Sequence, residues 1–107
     1  MGFSTVEDVV ERLVGEPTQR LQFKAEFQQD LEAKILAADA LIEARLKPYT
    51  QTIEVNTLLR SVSADIAAAL FKMDRGELQQ AKALIDRAEE SLQTQIQTFR
   101  SGAFTKT

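Results

Sequence analysis

The chain has 107 residues, of which 44% are hydrophobic and 27% charged, and its formal net charge is −3. These values are typical of one soluble, folded domain and argue against wholesale disorder. The sequence contains no His and no Cys. It therefore lacks the usual proton carrier near neutral pH, any thiolate nucleophile and the commonest ligands of transition metals. We expect a protein that is not an enzyme and that uses no cofactor and no metal.

The amino terminus, MGFS, carries neither a basic segment nor a long apolar run, so we expect no signal peptide. The longest nearly apolar run, residues 66–71, is far too short to cross a bilayer. We therefore expect a cytoplasmic protein with no membrane contact.

The first helix is predicted over residues 5–14. Ser4 and Glu7 have the spacing of a capping box, and Gly15 followed by Pro17 is typical of a helix end. Between these signals the apolar residues recur every three or four positions, which makes one helical stripe. That stripe contains Val6, Val9, Val10, Leu13 and Val14.

The second helix is predicted over residues 27–46, and its start is ambiguous. Apolar residues alternate between 21 and 27 as in a strand, but Phe23, Phe27 and Leu31 also recur every four residues as in a helix. Because an isolated strand would have no partner, we favour a loop over residues 16–23. The helix ends at Lys47, which precedes Pro48. Its predicted buried face contains Leu31, Ile35, Ala38, Leu41, Ile42 and Leu46.

The third helix is predicted over residues 56–74, with Asn56 as the N-cap and Gly76 just past its end. The alanines at 67–69 lack bulk, so another helix is expected to pack closely there. The predicted core stripe contains Leu59, Val62, Ile66, Ala69, Leu70 and Met73.

The fourth helix is predicted over residues 77–99, and residues 101–107 are predicted to form an extended, flexible tail. Leu78, Ile85, Leu92 and Phe99 repeat every seven residues, which is typical of a coiled-coil seam. This seam either belongs to the core or faces a neighbouring subunit.

The chain is thus predicted to be all-α: a small bundle of about four helices, one short and three longer, in a single domain over residues 1–100. Its candidate core residues share the 3–4 spacing of buried helix faces. They are Leu31, Ile35, Ile42, Leu59, Val62, Ile66, Leu70, Ile85 and Leu92.

The charged residues give no catalytic pattern. The acidic clusters at residues 7–11 and 89–90 are interpreted as solvated helix faces, and residues 74–77 lack the alternating ligands of a calcium loop. Basic residues are dispersed among acids, which disfavours a nucleic-acid surface. Aromatic residues near the chain ends either fold back or anchor on a partner. Phe99, Phe104 and Lys106 are the candidate partner-docking residues.

The order of these segments resembles the head–tail connector, or adaptor, proteins of tailed bacteriophages. Two patterns carry the resemblance, which spans residues 4–90. The first consists of Ala38, Ile42, Leu46 and Tyr49. The second consists of Leu59, Asp65, Ile66 and Ala67.

The resemblance implies a virion protein of the neck region, which assembles in the host cytoplasm as a ring of about a dozen copies. Its partners would be further copies of itself, the portal protein, and tail or neck proteins. The ring would extend the DNA channel without binding DNA specifically. The acidic balance suits such a conduit, because acidic walls repel the phosphates.

Two other classes of function stay open. The runner-up is a helical partner-binding or regulatory module, such as a coiled-coil-like dimer associated with chaperone or secretion functions, and the heptad seam of the fourth helix supports it. A DNA-binding helical domain is disfavoured by the acidic balance.

Overall fold

The computed structural model describes the backbone of residues 3–105 and the side chains of residues 3–100. This part of the chain forms four α-helices and contains no strand, which confirms the all-α prediction. The helices are α1 (Val6–Leu13), α2 (Pro17–Leu46), α3 (Thr57–Asp74) and α4 (Leu78–Thr105). Over the same residues, no helix combines the length and the apolar composition that a bilayer crossing requires.

The predicted start of the second helix is wrong, because α2 begins ten residues earlier, at Pro17. Proline suits the first position of a helix, where its fixed φ is already helical and no N–H is needed. The helical conformation lets Phe23 and Phe27, four residues apart, both pack on the same ring of α3. Their ring centroids lie 4.7 Å apart, and they lie 5.5 and 5.3 Å from the ring of Phe71 on α3.

The cap of α1 also differs from the prediction. Thr5, not Ser4, is the N-cap: its hydroxyl accepts from the Asp8 N–H, and the Asp8 carboxylate accepts from the Thr5 N–H. Ser4 points into the core instead, where its Oγ lies 2.7 Å from that of Ser63. The helix then ends on Val14 in an extended conformation, so Gly15 provides no left-handed stop.

The predicted ends of α3 are confirmed. The side chain of Asn56 accepts from the Leu59 N–H at 2.8 Å. Gly76 has a φ of 75°, the left-handed conformation that commonly ends a helix and that glycine adopts without steric cost.

The last helix is longer than predicted. It continues past residue 99 to Thr105, so only residues 106 and 107 of the predicted tail lie outside the described residues. A single glycine such as Gly102 costs a helix only about 1 kcal/mol and does not have to stop it.

The core is built around α3, which contacts the other three helices. Every residue from Val62 to Ala69 is buried. As predicted, small residues let a neighbouring helix approach, because Ala67 and Ala68 of α3 and Ala81 and Ala88 of α4 are all buried. Among the candidate core residues, seven are buried and two, Leu70 and Ile85, are half-buried against the same cluster. The buried ones are Leu31, Ile35, Ile42, Leu59, Val62, Ile66 and Leu92.

Two residues predicted on buried stripes, Leu41 and Met73, are exposed instead. Leu78 of the heptad seam is exposed as well. α2 and α4 both pack mainly on α3 rather than on each other, so residues at the edges of these stripes face the space between the outer helices.

Candidate interaction surfaces

A buried polar network attaches the amino-terminal segment to α2 and α3. The hydroxyl of Ser63 donates to Asp39 at 2.6 Å, and the Phe3 N–H donates to the other Asp39 oxygen at 2.9 Å. The Ser4 hydroxyl completes the network through Ser63. Both Asp39 oxygens therefore have hydrogen-bond donors, which is the condition for a buried carboxylate to be tolerated. This network explains why Phe3 folds back and packs against the core.

A second buried carboxylate, Asp65, joins three helices. It is 1% exposed and lies between Arg12 of α1 and Arg87 of α4. Arg12 Nε donates to it at 2.6 Å, and Arg87 donates through Nε at 3.0 Å and through Nη2 at 2.6 Å. The hydrogen bond with Asp65 raises the pKa of Arg87 above its ordinary value. We interpret Asp65 as a structural anchor, because its oxygens are already occupied by guanidinium groups.

The acidic clusters noted in the sequence form ion pairs across helices. Asp8 accepts two hydrogen bonds from Arg60, at 2.7 and 2.9 Å, and these lower its pKa. Glu89 accepts from Arg45 at 2.6 and 2.8 Å, which likewise lowers its pKa. Across the described residues, no group of three or more acidic side chains is arranged to hold a metal ion.

The first apolar surface is a groove of about 210 Å³, which we call the α2–α4 groove. Ile66 of α3 forms its floor, and the Arg45–Glu89 ion pair crosses it. The groove is lined by Leu41, Arg45, Ile66, Ile85, Ala88, Glu89 and Leu92. Exposed Met73 lies seven residues beyond Ile66, and exposed Leu78 seven residues before Ile85, so both lie on the stripes that line the groove.

The second apolar surface is an open cleft of about 900 Å³ on the other flank of α2, which we call the Phe3 cleft. The chain turns at the end of α2, where Tyr49 and Thr50 donate to the Leu46 carbonyl, and this turn brings the connecting segment alongside the helix. Glu43 and Lys47 provide charge at the cleft. It is lined by Phe3, Ala40, Glu43, Ala44, Lys47, Thr50, Gln51 and Ile53.

An aromatic cluster closes the end of the bundle where α2 starts and α3 stops. The guanidinium of Arg75 lies 3.5 Å from the ring centroid of Phe71 and 4.8 Å from that of Phe27. Sequence reasoning did not identify this cluster, although two four-residue spacings signalled it: Phe23 to Phe27 and Phe71 to Arg75. Arg75 covers the rings of Phe71 and Phe27 through cation–π contacts, so we interpret the cluster as the cap on this end of the core.

The structure describes only one of the three predicted docking side chains. Phe99 is half-buried against the core, and its docking role stays a prediction. The side chain of Phe104 and the whole of Lys106 lie outside the described residues. The heptad seam of α4 belongs mainly to the core: Leu92 is buried, and Ile85 and Phe99 pack beside it.

The residues behind the connector resemblance are almost all core residues. Ala38, Ile42, Leu46, Leu59, Asp65, Ile66 and Ala67 are buried, and only Tyr49 is exposed. Comparison of the chain with protein-family models, with curated proteins and with solved structures finds no significant match.

Proposed function

We propose that this chain is a structural protein of a virion, a head–tail connector that forms a ring between the portal and the tail and extends the DNA channel. The observation that carries the proposal is the pair of apolar surfaces on the two flanks of α2. In a cyclic ring each subunit meets one neighbour with one surface and the other neighbour with a different surface. The α2–α4 groove and the Phe3 cleft provide two such surfaces.

The anchored core supports the same proposal. Asp65 and Asp39 fix α1, α4 and the amino-terminal segment on α3 through charged and polar contacts. A subunit held in this way keeps its two lateral surfaces at a constant angle, which a closed ring needs. The protein performs no catalytic step and needs no cofactor in this role. Its partners are copies of itself, the portal protein, and tail or neck proteins, and DNA passes without specific binding.

The ring contacts can be tested with one variant on each surface. Ile85→Glu places a charge in the α2–α4 groove, and Ile53→Glu places one in the Phe3 cleft. Leu21→Glu is the matched control, because Leu21 is 78% exposed and lies outside both surfaces. Purified portal is mixed with each protein and imaged by electron microscopy. We expect rings with the wild type and the control, and none with the two surface variants, provided that all keep the wild-type circular dichroism spectrum.

A wild-type protein that never joins the portal would refute the connector function. Rings that form normally with both surface variants would refute the assignment of the contacts. Deleting residues 101–107 shortens α4 and tests the predicted docking role of Phe104 and Lys106. We expect the rest of the bundle and the ring to be unchanged, and the tail-side partner to bind more weakly.

One observation favours a second function, a helical partner-binding or regulatory module that works as a dimer. Leu36 and Leu41 are exposed on α2, which gives that helix an apolar face beyond the one it buries. A protein that dimerises tightly and ignores the portal would support this second function over the connector.

A further inference from the structure

The solvent-facing side of α2 carries a row of residues with the spacing of a helix–helix seam. From Asp30 to Lys47 the steps alternate between three and four residues, which is the period at which one helix meets another along its length. The row consists of Asp30, Ala33, Ala37, Ala40, Ala44 and Lys47. All four alanines are exposed, so no other helix of the described chain covers the row.

Large apolar side chains flank the alanines. Leu36 is 66% exposed on one side of the row, and Leu41 is 50% exposed on the other. The alanines let a second backbone approach closely, and leucines beside them would cover the contact. Burying a fully exposed leucine contributes about 1.5–3 kcal/mol, and each of these partly exposed side chains forgoes a share of that while it faces water. The row has a charge at each end: negative at Asp30, which also contacts Lys34 one turn along its own helix at 3.2 Å, and positive at Lys47.

We propose that a second copy of this chain covers this row, with the two α2 helices antiparallel about a twofold axis between residues 38 and 39. Antiparallel seams place opposite ends of the two rows in register. Ala33 then faces Ala44 of the partner subunit, and Ala37 faces the partner's Ala40. At each end of the contact Asp30 faces the partner's Lys47.

The charges select this orientation. A parallel pair would place Asp30 against the partner's Asp30 and Lys47 against the partner's Lys47, whereas the antiparallel pair makes two attractive contacts. The sequence of the segment has the matching symmetry. Residues 30–47 read DLEAKILAADALIEARLK, and apart from Ala38 and Asp39 the apolar positions are the same from either end while the charges are reversed. In an antiparallel register shifted by three, four or seven residues, Asp30 and Lys47 would face alanines of the partner or lie beyond its row, so both attractive contacts would be lost.

This contact does not depend on the connector proposal. It does overlap with the proposed ring contacts, since Leu41 lines the α2–α4 groove and Ala40 and Ala44 line the Phe3 cleft. A copy joined to ring neighbours through those surfaces would therefore have to leave the pair first. The pair is the form we expect in solution.

The chain contains no cysteine, so engineered thiols test the geometry directly. Ala33→Cys and Ala44→Cys are made as separate proteins, mixed in urea, refolded together and oxidised. We expect a disulfide-linked dimer on a non-reducing gel only from the mixture. In either protein alone the two thiols of an antiparallel pair lie roughly 16 Å apart along the helix axis, at 1.5 Å per residue, which is beyond disulfide reach.

Gln97→Cys mixed with Ala33→Cys is the control, because Gln97 is exposed on α4, away from the row. Crosslinking of Ala33→Cys alone would show a parallel pair and overturn the proposal. Sedimentation velocity gives a second measurement: we expect a wild-type dimer and an Ala37→Glu monomer that keeps its helical spectrum. A wild type that sediments as a monomer would also overturn the proposal. The connector function is tested separately, by portal binding, and neither of these two results would decide it.

Discussion

The strongest test of the fold is the substitution Asp65→Asn, which keeps the shape of the side chain and removes its charge. In the wild type the Asp65 carboxylate accepts three hydrogen bonds from Arg12 and Arg87. The amide of the variant has one acceptor oxygen, and its NH₂ group faces guanidinium donors. The variant therefore loses charge-assisted hydrogen bonds and leaves donors without acceptors.

The magnitude follows from the burial of the partners. Removing one member of a fully buried ion pair costs about 3–5 kcal/mol. Asp65 is buried, but the side chain of Arg12 is 21% exposed and that of Arg87 59% exposed, so water can solvate both arginines in the variant. We therefore expect a loss near the lower end, about 3 kcal/mol. Arg87→Gln should cost about 1–3 kcal/mol, because it removes the only donor that the described residues offer to Oδ2 of the buried Asp65 carboxylate, while Arg12 still pairs with Oδ1.

Urea unfolding followed by far-ultraviolet circular dichroism measures these differences, because the signal of this chain is almost entirely helical. The double variant Asp65→Asn with Arg87→Gln completes a cycle. We expect Arg87→Gln to cost almost nothing once Asp65 is neutral. A single Asp65→Asn variant that unfolds within about 0.5 kcal/mol of the wild type, the range of an ordinary surface substitution, would refute the anchor interpretation.

Three further predictions concern the core, a turn and the acid response. Leu59→Ala should lower the free energy of unfolding by about 2–5 kcal/mol, because Leu59 is fully buried. The exposed control, Leu21→Ala, should change it by less than about 0.5 kcal/mol, and equal effects of the two variants in urea melts would contradict the packing. Neither Gly76 nor Gly15 has a neighbour within 4 Å of an added Cβ, so only the backbone conformation distinguishes them. Gly76→Ala should lower the free energy of unfolding by about 1–2 kcal/mol because the φ of Gly76 is 75°, whereas Gly15→Ala should be neutral or slightly stabilising. Arg45 lowers the pKa of folded Glu89, so this pair stabilises the protein above the ordinary glutamate pKa, and that contribution is lost as the pH falls through the folded value. Glu89→Gln should thus cost roughly 0.5 kcal/mol at neutral pH and less in acid; a difference that grows on acidification would contradict it.

The helices themselves were predictable because the apolar period is strong in each of them. Asn56 and Gly76 mark the ends of α3 through local chemistry, a side-chain cap and a left-handed glycine, which act within a few residues. The start of α2 was not predictable in the same way. Its Phe23 and Phe27 fit two periods, and the ring of Phe71, which decides between them, is far away in sequence.

The two buried carboxylates were beyond the reach of sequence reasoning. Aspartate is usually exposed, and Asp39 and Asp65 stand in the sequence as ordinary polar positions. Their burial depends on donors that the fold brings from elsewhere: Arg12 lies 53 residues from Asp65, and Arg87 lies 22. Periodicity has a related limit. It indicates which side of a helix is apolar, and it does not say whether the chain has a second helix to cover that side.

α2 is the helix on which an uncovered apolar side matters for function. It has 30 residues and apolar side chains on more than one face, but α1 and α3 cover only the face that contains Leu31, Ile35 and Ile42. The uncovered leucines, Leu36 and Leu41, forgo burial that a contact with another protein would recover. A twofold pair covers both leucines and the alanine row between them, while a ring contact in the α2–α4 groove needs Leu41 on its own. The two contacts therefore compete for the same side chain, and the pair has to separate before a subunit can assemble on a portal. Because Ala37→Glu blocks only the pair, this variant should join the portal faster than the wild type.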